Sequence, residues 1–489
     1  MKKKNYFLFS LFAFIVFSFS LKAQVSTTAT ISGIVTDANG EPLIAATVTA
    51  THLPSGTFYG TTTRSDGKFT LPNLRVGGPY VVEASYIGSK KQKYDNIFLQ
   101  LGQKLSLEFK LADEAVQLEG VTIVGKSDPI LNNERTGAET AITSELITKL
   151  PTISRSTQDY YRLNPSADGS SFGGRNNKMN NFTLDGSIFN NPFGLDAATP
   201  GSQANAQPVS LDAIDQIQVS LAPYDVTQAG FVGAAVNAVT KSGTNEFKGT
   251  VYGFFRNQDM TGAKVKGNDI FRADLQHLQS GFSLGGPIIK DKLFFFANAE
   301  IERRGDLGTE WVAKRDGLTG SNVSRVLASD LELVSKTLKD RYGYETGPYE
   351  NYTHRTDNQK ALFKLDYVIN KNHSFSLSYN YLDASRDKPA HPEAIGRRGP
   401  DAITLQFYNS GYAIRNKLHS VIGEFKSIFG NKFANNLQVG YTAFRDSRKP
   451  FSEPFPTINI DKDGIRYIVA GFEPFSIHNR LYQDVYQAT

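Results

Sequence analysis

From Phe247 onward the connections between strand-like stretches alternate short, long, short, long, and few folds obey that rule. Stretches 275–286 and 293–303 are separated only by Pro287-Ile288-Ile289-Lys290-Asp291-Lys292, 361–369 and 374–382 by Asn370-Lys371-Asn372-His373, and 421–429 and 433–445 by Gly430-Asn431-Lys432. Between these pairs run the long connections 258–274, 305–358 and 383–418. Within the stretches the side chains alternate with period two, the pattern of a strand with two unlike faces. Phe375, Leu377, Tyr379 and Tyr381 oppose Ser374, Ser376, Ser378 and Asn380, and Leu437, Val439, Tyr441 and Ala443 oppose Asn436, Gln438, Gly440 and Thr442.

A soluble sandwich has no reason to keep its long connections at one end, whereas a strand wall crossing lipid has tight turns on one side and large loops on the other. The expectation is therefore a transmembrane antiparallel β-barrel, apolar faces toward lipid and polar faces toward a wet lumen, because closure satisfies every backbone group within the hydrocarbon. The competing reading, a sandwich with a solvated outer face, would instead bury the tyrosines and leucines between two sheets. About seven strands can be counted after Phe247, an odd number and too few to close around a large domain. The chain is accordingly expected to be an N-terminal fragment holding only part of a barrel.

The character of the sequence changes across residues 230–257. Val232, Ala234, Val236 and Ala238 alternate as in a strand with one covered face, Ser242-Gly243-Thr244-Asn245 makes a turn, and Phe247, Gly249, Val251, Gly253 and Phe255 then oppose Lys248, Thr250, Tyr252 and Arg256. Taken alone this could be an ordinary Gly-rich hairpin. Together with Gly174-Arg175, the strand ending Leu184-Asp185-Gly186, Ala222-Pro223-Tyr224-Asp225-Val226 and the 285–296 hairpin, it resembles the plug-to-barrel junction of TonB-dependent outer-membrane receptors, especially the Oar-like branch. The resemblance implies an α+β plug domain over 127–243, with barrel from 244 to 489 and long extracellular loops.

The N-terminus carries Lys2-Lys3-Lys4, an apolar run from Tyr6 to Leu21, and Ala23, the three regions of a secretory signal peptide with cleavage after Ala23. A membrane anchor is the alternative, but the run is short of the roughly 20 residues that a helical span needs. Without those four lysines (Lys2, Lys3, Lys4, Lys22) the net charge of +5 falls to 5 − 4 = +1, which removes any argument for nucleic acid. The absence of cysteine excludes a disulfide scaffold and thiolate metal sites.

Residues 24–115 have the short strands and turn clusters of a small immunoglobulin-like β-sandwich. Gly33-x-Val35-x-Asp37-x-x-Gly40-x-Pro42-Leu43 with Asp66-Gly67-x-Phe69 resembles the carboxypeptidase regulatory-like domain. No protease chemistry accompanies it, and His52 is expected to be a loop histidine. In segment 116–126, Leu118, Glu119, Gly120, Val121, Thr122, Ile123 and Val124 stand where the family has its TonB box, captured by the periplasmic partner through strand addition. The alternatives are a last sandwich strand or a plain linker. Within the plug, Arg175 and Asp185 are the candidate latch, Arg175 facing an acid of the barrel wall, because a buried unpaired charge is costly; the alternative for Arg175 is a solvated loop arginine.

No catalytic or metal constellation has a recognisable spacing, so neither enzyme activity nor a cofactor is expected. Asn459-x-Asp461-x-Asp463-Gly464 opens like a calcium loop but has Ala470 where the bidentate Glu belongs. Trp311, Tyr342, Tyr344, Tyr349 and Tyr352 in the longest loop are either ligand-facing aromatics or generic loop composition. The resemblance implies an outer-membrane receptor of a Gram-negative cell that imports an extracellular ligand with energy relayed by TonB. Its implied partners are TonB, membrane lipid, a ligand of unspecified chemistry and room for a surface lipoprotein. A non-transporting surface receptor or adhesin, which would not need the 118–124 segment, stands beside it.

Overall fold

The computed structural model describes residues 26–113, 122–124, 139–152, 154–190, 199–221, 231–391, 393, 396, 398–431 and 433–489. The expected signal peptide and Leu118 to Val121 lie outside the described residues. Three packed units follow one another along the chain.

The first is a two-layer β domain. Strands β1 (Ala29–Thr36), β2 (Thr47–His52), β3 (Thr57–Thr62), β4 (Lys68–Leu74), β5 (Gly77–Ser85), β6 (Gln92–Leu99), β7 (Lys104–Lys110) and β8 (Thr122–Val124) form sheets of order β4–β1–β7 and β3–β2–β5–β6–β8. Alternate residues turn inward and enclose Ile31, Val48, Phe69, Tyr80, Val82 and Phe109 in a core of its own. Gly33 lets β1 and β7 approach, because a Cβ there would lie 1.8 Å from the carbonyl oxygen of Leu107. His52 is not a loop histidine: it closes β2, is buried, shares a 2.7 Å hydrogen bond with Ser55 and stacks 4.9 Å from the Tyr80 ring.

Burial, reinforced by the nearby Arg75 charge, lowers the His52 pKa from 6.5 to about 3. Between those values the unfolded chain binds a proton that the folded ring refuses, so the stabilisation present above pH 6.5 is lost as the pH falls toward 3. We expect the free energy of opening read from amide exchange in β2 and β5, corrected for the slower intrinsic exchange at lower pH, to fall below pH 6 by up to about 1.4 kcal/mol per pH unit, and His52→Gln to flatten that slope. An unchanged slope in the variant would show that the ring is hydrated.

The second unit, spanning 139–240, is a mixed five-stranded sheet with two short helices. Its elements are β9 (Glu139–Thr143), α1 (Ser144–Lys149), α2 (Gln158–Tyr161), β10 (Asn181–Leu184), β11 (Ser187–Ile188), β12 (Ile214–Ser220) and β13 (Ala235–Thr240), in sheet order β11–β10–β13–β12–β9. Helix α1 stops at Leu150, ahead of Pro151, as a residue preceding proline should. The expected one-faced strand at 232–238 is corrected here. Val232 is exposed, the strand begins at Ala235, and all six residues of β13 are buried because it is the middle strand, covered on both faces.

The third unit is an eight-stranded antiparallel sheet in which every strand neighbours the next in sequence. It consists of β14 (Lys248–Asn257), β15 (Leu275–Ile289), β16 (Leu293–Leu307), β17 (Thr353–Asn370), β18 (His373–Lys388), β19 (Tyr412–Phe429), β20 (Phe433–Pro450) and β21 (Arg480–Ala488). Eight strands, not seven, correct the odd count. The overlooked β21 carries Asp484 on its outward face, where Arg445 and Tyr441 bind it, and that acid broke the apolar alternation.

The faces are disposed as a lipid-crossing wall requires. Phe375, Leu377, Tyr379, Leu437, Val439 and Tyr441 point outward and are exposed, while Ser378, Asn380, Gln438 and Thr442 are buried against the second unit. One core runs across that seam, joining Phe182, Leu184, Ile217 and Val236 to Phe296, Leu362, Leu382 and Leu418 of the wall. Strands of up to 18 residues exceed the 9–11 or so that a bilayer needs, so one end of the wall stands clear of lipid.

On that end the long connections fold onto one another. Helix α3 (Ala328–Tyr342), strand pair Val312–Lys314 and Val323–Leu327, and strands Leu405–Gln406, Thr457–Lys462 and Ile465–Gly471 share a separate core. The loop aromatics largely build that core instead of a ligand face. Tyr344 and Tyr352 are buried, Tyr344 stacks on Phe455 at 4.1 Å, Trp311 and Tyr349 pack against the cluster, and Tyr342 alone of the five is mostly exposed. The calcium-like motif is a hairpin: Asp463 and Gly464 form its left-handed turn, and Asp461 is bound to Arg466 at 2.7 Å.

Candidate functional site: the seam between the central unit and the wall

The seam is built around the tight turn between β10 and β11. Asp185 takes a left-handed conformation (φ 48°), which Asp tolerates better than most residues. Its carboxylate accepts hydrogen bonds from the Thr240 amide (2.9 Å) and hydroxyl (2.7 Å) and faces the Lys364 ammonium of β17 at 3.6 Å. Lys364 also donates to the Thr240 hydroxyl at 3.1 Å. The Asp185 carbonyl accepts from the Gln438 amide of β20 (2.6 Å), and Ser187 and the Ile188 amide donate to Gln487 of β21 at 3.1 Å each. Three wall strands therefore hold one turn.

A second set of bonds lies along 204–212. The Ser210 hydroxyl donates to Glu300 at 2.9 Å, and that carboxylate is also bound by Tyr252 (2.6 Å) and Lys360 (2.6 Å). Glu300 and Lys360 are cross-strand partners on β16 and β17 with side chains 0% and 3% exposed, and the three hydrogen bonds to the carboxylate offset its burial. The Ala204 amide donates to Asn416, the Pro208 carbonyl accepts from Asn380, and Asp212 accepts from Thr250.

The N-terminal half of the central unit is held differently. Its bonds run inward: Asn164 to Thr140, Thr157 to Gln207, and the Tyr160 hydroxyl to the Ile147 carbonyl. Toward the wall it offers Arg155, whose guanidinium lies over the Tyr252 and Phe254 rings at 4.8 and 4.2 Å. Among the described residues strand β9 is an edge, paired with β12 alone.

Arg175 does not face an acid of the wall. It is exposed and donates to the Val232 carbonyl, because the left-handed glycines 173 and 174 turn it back onto its own unit, where water screens its charge. The charge pair across the seam runs the other way, acid from the central unit and base from the wall. Of the candidate pull segment, Thr122, Ile123 and Val124 form β8, parallel to Lys93, Tyr94 and Asp95 of β6. Lys364, Gln438, Glu300, Lys360 and Ser210 were not singled out from sequence. The available signal was a charge on the lumen-facing parity of a strand, as at Glu300 and Lys360.

Residues 239–488 match the family of outer membrane beta barrel domains, and residues 30–112 the carboxypeptidase regulatory-like domain. The TonB-dependent transporter Oar of Myxococcus xanthus is 26% identical over 384 residues, covering 73% of this chain and 34% of the relative. This chain thus spans about a third of the length of that curated relative. The outer membrane transporter YddB from Escherichia coli is similar at 14% identity and TM-score 0.48, over 71% of this chain and 44% of its own. The siderophore receptor PirA from Acinetobacter baumannii is similar at 16% identity and TM-score 0.37, over 72% and 53%.

Proposed function

Because this chain belongs to the outer-membrane β-barrel family, we propose that it acts in a TonB-dependent transporter that binds an extracellular ligand and admits it when TonB pulls on residues 118–124. In this reading 127–243 is the plug, the 1–23 segment directs export, and the inner-membrane potential, worth about 2.3 kcal/mol per charge per 100 mV, supplies the work. The observation that carries it is the unequal attachment of the plug. The 118–124 segment precedes β9 in the chain, and β9 is, among the described residues, an edge strand held through five residue pairs from Glu139 to Thr143, which can be peeled one bond at a time at about 1 kcal/mol each. The half from Asp185 to Asp212 is fixed by the Asp185–Lys364 pair, whose separation costs about 3–5 kcal/mol, and by hydrogen bonds from Ile188, Ala204 and Ser210 to wall side chains. A pull would therefore open the N-terminal half and leave the rest seated, clearing a path without ejecting the plug.

The test is capture by the partner. The periplasmic C-terminal domain of TonB should bind the detergent-solubilised protein, and deleting residues 118–124 should weaken that binding by about 100-fold, since strand addition supplies the main-chain bonds. Binding that survives the deletion would overturn the role of 118–124, and no binding by the intact protein would favour the second reading, a surface receptor or adhesin, for which the folded loop core around Leu331, Phe407 and Ile468 speaks.

A further inference from the structure

The N-terminal β domain does not hang free below the wall; one end of it is docked into the seam. The Gln216 side chain of β12 forks across it, donating to the Leu99 carbonyl at 3.2 Å and accepting from the Leu101 amide at 2.9 Å. Arg75 donates to the Gly243 carbonyl (3.1 Å), Asn237 of β13 to the Ser26 carbonyl (2.8 Å), and the Asn245 amide to the Pro54 carbonyl (2.8 Å). Thr27 donates to Glu424 of the wall at 2.8 Å. At the centre Val76 and Leu101 meet Val239 in a small buried apolar cluster.

These contacts come from four separate loops at the same end of the domain, and they touch the central unit, the junction after it and the wall at once. Between the three units lie a cavity of ≈ 140 Å³, with Thr27 and Arg75 on the domain side and Asp185, Lys364 and Gln438 on the other, and a second of ≈ 400 Å³ lined by His52, Arg75, Asp215, Lys241 and Gly243. The docked domain thus lies across one end of the seam.

We infer that this domain is a second gate, in series with the plug, that undocks when the plug is pulled. The inference rests on the transport reading above. The physical argument is the composition of the interface. The domain keeps its own complete core, and the contact is a ring of hydrogen bonds around three aliphatic residues, the make-up of a separable inter-domain contact and not of a permanent one. Water can replace each of those bonds on undocking. Moreover, Gln216 lies opposite Thr143 of β9, so peeling β9 strips the strand that carries the fork.

The chain contains no cysteine, so a single introduced thiol is a clean reporter. Val76→Cys places it in the buried cluster, Leu101→Cys repeats the measurement from a different loop should the first fold poorly, and Ile147→Cys in α1 reports on the plug itself. Each is labelled with biotin-maleimide in energised cells with and without TonB. Labelling at positions 76 and 101 at least ~10-fold faster when TonB is active is the expected result. Equal, rapid labelling in both strains means that the domain is not docked and overturns the gate. Protection at 76 and 101 in both strains while position 147 responds also overturns it and leaves the transport reading standing. No response at any of the three removes the pulling reading and the gate with it.

Discussion

Lys360→Ala should destabilise the wall by about 3–5 kcal/mol, because it strands the Glu300 carboxylate, 0% exposed, without its countercharge. Tyr252 and Ser210 would still bond the carboxylate at 2.6 and 2.9 Å, but neutral donors do not compensate a buried charge. The sharper result is the double variant Glu300→Leu/Lys360→Met. Replacing both members by apolar groups of similar size should recover most of the loss, since the pair spends on desolvation nearly what it gains by attraction. Denaturant unfolding in detergent, followed through the β-sheet circular dichroism, measures both. A cost below about 1 kcal/mol for Lys360→Ala would mean that the pair is hydrated and that the seam is looser than its geometry indicates.

Asp185→Ala should loosen the central unit from the wall by a comparable amount, about 3 kcal/mol or more, through three coupled losses. The Lys364 ammonium loses its counterion, the Thr240 amide and hydroxyl lose their acceptor, and alanine is strained at φ 48°. Asp185→Asn separates these contributions, since asparagine tolerates the left-handed turn and still accepts from Thr240 but brings no charge. Hydrogen exchange gives the location as well as the size of the effect. In the alanine variant the amides of 187–190 and 199–212 should lose protection while those of β9 keep theirs. Equal loss in both halves would remove the partition on which the proposed selective opening of the central unit depends.

The wall was legible because lipid enforces its pattern residue by residue: an outward position that is not apolar costs free energy, so the parity of 374–381 or 436–443 had to be written into the chain. The turns at 290–292 and 370–373 were legible for a similarly local reason, as Asp291 and the Asn370 region adopt conformations that their residue types favour. β21 was lost because one outward acid, Asp484, is neutralised by Arg445 from the neighbouring strand, a compensation that no window of one strand contains. The loop aromatics failed in the opposite direction. Exposure was inferred from loop position, whereas connections 308–352, 389–411 and 451–479 supply one another with a core.

What the sequence by itself determined is the kind of surface each segment must meet: lipid for one face of the wall strands, an apolar interior for the N-terminal strands, and cover for β13 and its neighbours. These follow from side-chain polarity and spacing, which are local. Only the tertiary structure decided which charges meet, so that Asp185 and not Arg175 faces the wall, Glu300 finds Lys360 across a 45-residue excursion between β16 and β17, and Gln216 reaches back to Leu99 and Leu101. A pairing energy depends on the distance between two groups and on the water excluded around them, and neither quantity exists until the chain has closed on itself.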